Sequence, residues 1–282
     1  MHGGPGSPLR SPDYEFYSQL THYGFDIYLY DQVGTGLSDR LANVREYTTQ
    51  RHVVDLEAIR QQIGADQMIL IGQSWGATLA ADYLAAYPQH VAKVIFSSPG
   101  AIWDGGRFKV DYSHTARTPG PELKLPPLRV LLAVALIGHN PDAALWLATE
   151  QELGDYFDNL PSNKTLNQNY CSSDGAKVPT IEIRGQNQYV NRVTLASQAT
   201  YPDPRPALRG TPTPALILRG ECDFISLAVA SEYEQTLPGA TMVHVPRAGH
   251  AIFGAQPELT LQLISAFLTD APLPTVPTSN AQ

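Results

Sequence analysis

The chain has 282 residues, 43% of them hydrophobic, which is enough to bury one core or a core carrying an insertion. A net charge of -8 argues against nucleic acid or an anionic membrane surface as a partner. No cofactor or metal is implied. Gly34-Thr35-Gly36 lacks the G-K-[ST] of a phosphate loop, and G-x-G-x-x-G and H-E-x-x-H are both absent. Two cysteines, Cys171 and Cys222, make no disulfide framework, so Cys222 reads as a small buried residue and a reduced, cytoplasmic setting fits.

Taken in chain order, the glycine-rich start His2-Gly3-Gly4-Pro5-Gly6 can bring backbone N–H groups close to a reacting carbonyl oxygen. Composition alone would make it a flexible terminus. Phe16, Tyr17 and Leu20 predict a helix over Asp13 to Tyr23, and Phe25 to Tyr30 reads as a strand. Val53, Val54, Leu56, Ile59 and Ile63 form a helical stripe over Tyr47 to Ile63.

Met68 to Ile71 is an apolar strand that runs into Gly72-Gln73-Ser74-Trp75-Gly76, and an Ala-rich helix follows from Ala77 to Ala86. Strand, tight turn and helix with a serine at the apex is the context in which G-x-S-x-G presents a nucleophile. The flanking glycines tolerate strained backbone angles and keep bulk away where the turn abuts its neighbours. Val91 to Ser97 is the next strand, and the alternation predicts a parallel sheet covered by helices on both faces.

From Pro99-Gly100 to about Arg209 the chain becomes loop-rich, with breakers at Thr118-Pro119-Gly120-Pro121 and Pro126-Pro127. Leu128 to Ile137 is an apolar helix, expected to be buried or to line a pocket and too short to cross a membrane. A second helix is expected from Asn140-Pro141-Asp142, with a capping Asn and Pro at the first position, through Trp146 to about Phe157. Further strands are Pro214 to Gly220 and Thr241 to Val245. Asp270 to Gln282 is rich in Pro, Thr and Ser and has the composition of a disordered tail.

A nucleophilic serine needs a base, an orienting acid and an oxyanion site, and hydrolases of this topology run Ser, acid, His along the chain. Asp223 and His250 each follow a strand on the sheet edge that carries Ser74. Glu221 and Asp104 are alternative acids. His244 lies within a strand, His90 follows Pro88, and His22, His52, His114 and His139 lack a strand-end setting.

With these parts together the chain resembles the α/β-hydrolase fold and, within it, the proline iminopeptidase family of serine peptidases. The resemblance rests on His2-Gly3-Gly4-Pro5-Gly6, on Asp31-Gln32-Val33-Gly34-Thr35-Gly36-Leu37-Ser38, on Gly72-Gln73-Ser74-Trp75-Gly76, and on Asp223 and His250. It implies a catalytic triad of Ser74, Asp223 and His250, with an oxyanion hole from Gly4, Gly3 and the N–H of Trp75. It also implies a hydrolase core in 1–100 and 210–270, a helical cap inserted at 101–209 over Ser74, and a tail at 271–282. The expected reaction is release of N-terminal proline or a similar residue through an acyl-enzyme. The alternatives are a carboxylesterase or lipase-like enzyme for small esters, and a non-catalytic hydrolase-fold protein that binds a ligand.

Three departures qualify the resemblance. Val33 stands where the family has arginine, which removes a charge that could fix that loop. In the family a strand precedes H-G-G-P-G and lies between the fourth and fifth strands, whereas here only Met1 precedes the motif. The expectation is a truncated chain, or else a sheet repacked by pairing Phe25–Tyr30 directly to Met68–Ile71. Finally, no W-x-x-W-E type signature marks an amine-binding cap, leaving Glu150, Glu152, Asp155, Asp158 and Glu182 as candidate anchors.

Overall fold

A computed structural model describes residues 1–103, 110–114, 126–160, 169–171 and 182–276. Asp104 and the 118–121 breakers lie outside the described residues. Four parallel strands form one sheet: β1 (Met68–Gln73), β2 (Val91–Ser97), β3 (Ala215–Gly220) and β4 (Ala240–Val245), in the order β1-β2-β3-β4. The registers pair Ile71 with Ile95, Phe96 with Ile217, and Leu218 with Val243.

Successive strand side chains point to opposite faces, and here that alternation separates two cores. Leu70, Val94, Phe96 and Ile217 face one side. There they pack on α2 (Thr49–Ile63), α3 (Trp75–Ala86) and α9 (Leu227–Thr236) through Leu56, Leu79 and Tyr233. Ile95, Leu216, Leu218 and Val245 face the other side and meet α1 (Ser11–Tyr17) and α11 (Pro257–Leu268) through Phe16, Leu263 and Ile264. A sheet buried on both faces accounts for the near-continuous apolar runs of β2 and β3. The ends of α2 follow from its caps: the Thr48 side chain accepts from Arg51 N–H, and Gly64 ends the helix in the left-handed region.

Between β2 and β3, α4 (Leu128–Ile137), α5 (Pro141–Leu145), α6 (Glu150–Asp158) and α7 (Gln188–Gln198) share a third core with Val44 and Tyr47. The short α8 (Arg205–Leu208) leads back to β3. Two expectations change here. α4 buries Val130, Ala133 and Ile137 but leaves Leu128, Leu131, Leu132 and Leu136 exposed, so it is not buried all round. The single helix expected after Asn140 is two. Asn140 caps α5 as predicted, but Thr149 opens α6 with a capping box to Glu152, a helix start that breaks the run.

Three further differences concern the N-terminal third and the tail. The helix over Asp13–Tyr23 is α1 followed by a tighter 3-10 turn from Ser18 to Tyr23, closed by Gly24 at φ 85°. Phe25–Tyr30 alternates in burial as a strand would, yet it joins no ladder, so β1 has only β2 as a strand partner among the described residues. Direct pairing of the two segments is therefore not what the structure adopts. Instead Met1 N–H donates to Ile71 C=O at 2.6 Å and Met1 C=O accepts from Gln73 N–H at 3.1 Å, and a cavity of about 310 Å³ lies between Phe25–Tyr30 and β1. The tail is ordered by packing as far as it is described: Leu273 and Val276 lie against the α11 core, and Asp270 pairs with Lys93. Residues 277–282 are outside the described set.

Candidate active site

Ser74 sits where β1 becomes α3, with φ 57° and ψ −124°, a conformation that is costly for a non-glycine residue. The two flanking glycines explain how the chain bears it. A Cβ on Gly72 would run into Gly76 C=O, and one on Gly76 would meet the carbonyls of Met1 and His2. Gly3 approaches Ser74 so closely that an added Cβ would lie 2.7 Å from the serine Cβ. The H-G-G-P-G loop is thus packed on the serine turn rather than free, and Gly4 at φ 124° is a position that glycine suits.

His2 fastens that loop. Gln32 N–H donates to His2 Nε2 at 2.9 Å, which leaves Nδ1 as the donor to Gly3 C=O at 3.0 Å. Burial pushes the imidazole down to about 4, so it stays neutral. The Asp31–Ser38 turn behind it is fixed without the family arginine. Asp31 accepts from the N–H groups of Leu9 and Leu37, while Arg40 and Asn187 donate to Gly34 C=O. The charge lost at Val33 is thereby replaced by other donors.

His250 follows β4 and Asp223 follows β3, and their loops meet. His250 Nδ1 and Asp223 Oδ1 are 2.8 Å apart, with both side chains almost fully buried. Burial alone would raise the Asp223 carboxyl. The charge and hydrogen bond of His250, the Ile225 N–H and the nearby Ser98 hydroxyl outweigh burial and hold it below the usual range. With Nδ1–H committed to a carboxylate, Nε2 is left free to accept a proton. The Phe224 ring packs on His250 at 4.3 Å between centroids, and Tyr112 stacks on Phe224 at 4.7 Å.

Ser74, His250, Gly3, Gly4, Gln186 and Phe224 line one cavity of about 310 Å³. No hydrogen bond joins Ser74 to His250 in this structure. Among the described residues neither the Gly4 nor the Trp75 N–H donates to a protein acceptor, and Trp75 opens α3, where the first N–H groups have no intrahelical partner. The predicted Ser74, Asp223, His250, Gly3, Gly4 and Trp75 are therefore gathered at one end of the sheet.

The competing groups are elsewhere. Glu221 is exposed and accepts from Arg247 N–H, His244 is exposed on β4, and His52 is buried against Trp75 and Thr194. None of the five acids offered as amine anchors lines the Ser74 cavity. Glu150 is held by Tyr47 and Asn187, Glu152 by Arg129, Asp158 by Gly185 and Gln186, and Glu182 by Arg184. Among the described residues the carboxylate on the cavity wall is Asp13, capping α1 from the N-terminal side.

The cysteines overturn their expectation: Cys171 and Cys222 are joined in a disulfide. Both are buried, as predicted for Cys222, but as half of a cystine. A spacing of 51 residues gives no local signal for such a bond, and only the fold brings them together. The expected reducing, cytoplasmic setting rested on two separate thiols and loses that footing. No helix among the described residues is long and apolar enough to cross a membrane.

Parallel sheet, strained serine turn and buried Asp–His couple together define a hydrolase architecture. The family profile described as alpha/beta hydrolase fold matches residues 1–256, and the chain belongs to that family. Over 277 residues it is 27% identical to the proline iminopeptidase of Heyndrickxia coagulans, covering 95% of this chain and 88% of the relative. It is 44% identical over 102 residues to the proline iminopeptidase of Lactobacillus delbrueckii subsp. bulgaricus, a match spanning 35% of this chain and 34% of that one. Among solved structures it shares the fold of a thermophilic esterase from Thermogutta terrifontis, with a TM-score of 0.60, 20% identity, and coverage of 95% and 88% of the two chains.

Proposed function

We propose that the chain is a serine hydrolase acting through an acyl-enzyme, and that it releases N-terminal proline or a similar residue from small peptides. His250 Nε2 takes the Ser74 hydroxyl proton as Oγ attacks the substrate carbonyl, and Asp223 holds the imidazole by its Nδ1–H and stabilises the cation formed. The N–H groups of Gly4, Gly3 and Trp75 receive the developing oxyanion, an interaction worth about 3 kcal/mol per donor. The proton on Nε2 then passes to the leaving amine, and water repeats the sequence to release the acid. Residues 101–209 act as the cap, with Ile183 and Gln186 on the cavity wall beside the Phe224 ring.

For hydrolysis the support is the geometry: one cavity holds the strained serine and the histidine of a buried Asp–His pair. For the aminopeptidase activity the carrying observation is the similarity to a proline iminopeptidase over 95% of the chain. A substrate ammonium would find Asp13 as the carboxylate on the wall. A second reading, a carboxylesterase for small neutral acyl groups, draws on the same place, because Arg10 Nε lies 3.3 Å from Asp13 Oδ2 and already offsets its charge.

The two are separated by comparing a prolyl arylamide with its N-acetylated form. An aminopeptidase is expected to favour the free amine by at least about 100-fold in kcat/KM, since blocking it leaves buried polar groups unpaired. Equal rates would contradict aminopeptidase activity and support the esterase.

A further inference from the structure

Three consecutive residues, Asn169–Cys171, touch both loops of the Asp–His couple. Cys171 is bonded to Cys222, the residue immediately before Asp223. Asn169 C=O accepts from Gly249 N–H at 2.9 Å, immediately before His250. Tyr170 hydroxyl donates to Gly254 C=O at 3.0 Å, in α10 (Ile252–Ala255), four residues after His250. The Asn169 side chain also packs at Gly254, where an added Cβ would lie 3.0 Å from its Nδ2. The two loops are themselves tied where this segment lands, since Cys222 N–H donates to Ala248 C=O at 3.1 Å.

The Asp223–His250 hydrogen bond joins loops that leave two different strands, so its length depends on how rigidly those loops are held against each other. β3 and β4 fix the loop bases. Above them the ties converge on Cys222, Gly249 and Gly254, each within four residues of a member of the couple. We propose that Asn169–Cys171 is a positioning bracket for the Asp223–His250 pair, closed by the Cys171–Cys222 disulfide. Cys171, Tyr170 and Cys222 touch no substrate and act through the couple. Opening the bracket with a small dithiol converts the disulfide to two thiols while the dithiol becomes a cyclic disulfide, two electrons and two protons passing to the protein. The chain keeps its sheet, but the imidazole loses its fixed orientation and acyl transfer at Ser74 slows.

The inference rests on the proposed roles of Ser74, Asp223 and His250, so the test carries a readout that does not need turnover. The oxidised protein, the dithiol-reduced protein, the Cys171→Ser/Cys222→Ser double variant and Tyr170→Phe are compared at a temperature where circular dichroism shows each folded. The readouts are kcat and KM on a prolyl arylamide and on a small aryl ester, and the far-downfield proton resonance of His250 Nδ1–H. The expected result is a fall in kcat of about tenfold or more on reduction or in the double variant, with KM nearly unchanged and the resonance weakened. Tyr170→Phe, which keeps the disulfide, should show a smaller change of the same kind. If the disulfide only stabilises the fold, opening it would lower Tm and leave both kcat and the resonance intact, which would overturn the bracket. If the reduced protein and the double variant fail to fold, an unchanged resonance and kcat in Tyr170→Phe would equally overturn it. If no form turns over substrate, the resonance still decides, so failure of the hydrolase reading is distinguishable from failure of the bracket.

Discussion

At the scale of single residues, the site depends on groups whose neighbours leave few alternatives. Gly76 is one: a Cβ there meets two backbone carbonyls of the H-G-G-P-G loop, which cannot give way as a flexible side chain can. Gly76→Ala is expected to lower Tm and to slow labelling of Ser74 by a fluorophosphonate, because the loop must withdraw from the serine turn. Asp223 is another. In Asp223→Asn the amide can present its N–H to the imidazole and so select the wrong tautomer, and under the proposed mechanism kcat should fall on the order of 10³- to 10⁴-fold with the fold retained. Thermal melts and steady-state kinetics on the same preparations check both. These residues were legible because each carries a chemistry its local sequence announces: Ser74 in a strand–turn–helix, Asp223 and His250 after strands. Phe224, Tyr112 and Ser98 were not, since an aromatic or a hydroxyl beside the couple acquires its place only when β2, β3 and the 110–112 segment come together.

Among elements, α7 shows how the segment between β2 and β3 is attached to the sheet. Asn187 caps it by accepting from the N–H groups of Tyr189 and Val190, donates to Gly34 C=O at 2.9 Å, and gives its own side-chain amide to Glu150. Its backbone N–H reaches Gly6 C=O at 2.8 Å, in the H-G-G-P-G loop. Asn187→Ala removes the cap on the Tyr189 and Val190 N–H groups and one of the two donors to each of Gly34 C=O and Glu150, so a loss of about 1–3 kcal/mol is expected in denaturant unfolding. A loss under about 0.5 kcal/mol would mean that this junction is not what holds α7. Strand and helix periodicity made β1 to β4, α2, α3 and α4 readable to within a residue or two at each end. It could not show which face of α4 would be covered, because its third core draws on Val44 and Tyr47, about 85 residues earlier in the chain. Phe25–Tyr30 was misread for a related reason: alternation describes a segment's shape, while strand status requires a partner, and none is paired there.

For the molecule as a whole, burial of titratable groups sets a pH dependence of stability. His2 has an ordinary value of 6.5 when unfolded and about 4 when folded, because burial opposes its charge. Between those values the unfolded chain binds more protons, so stability falls as pH is lowered from 6.5 towards 4. The contribution of His2 to that fall is about 3 kcal/mol. His52, pushed down to about 3 by burial, acts in the same direction. Asp82, raised by burial, acts oppositely, since its contribution is lost as pH rises. The clean test is therefore a difference: His2→Asn should show a shallower rise of unfolding free energy over pH 4–6.5 than the parent chain, and identical slopes would contradict a neutral buried His2. The global arrangement was legible where sequence order maps onto sheet order, and illegible where distant segments meet, as in Cys171 with Cys222. The most direct test of the central claim, an activated serine at the head of β1, is stoichiometric labelling by a fluorophosphonate with Ser74→Ala as control and circular dichroism to confirm folding. The account predicts labelling near one equivalent that vanishes in Ser74→Ala. A folded chain that does not label, or one that labels equally without Ser74, would contradict it.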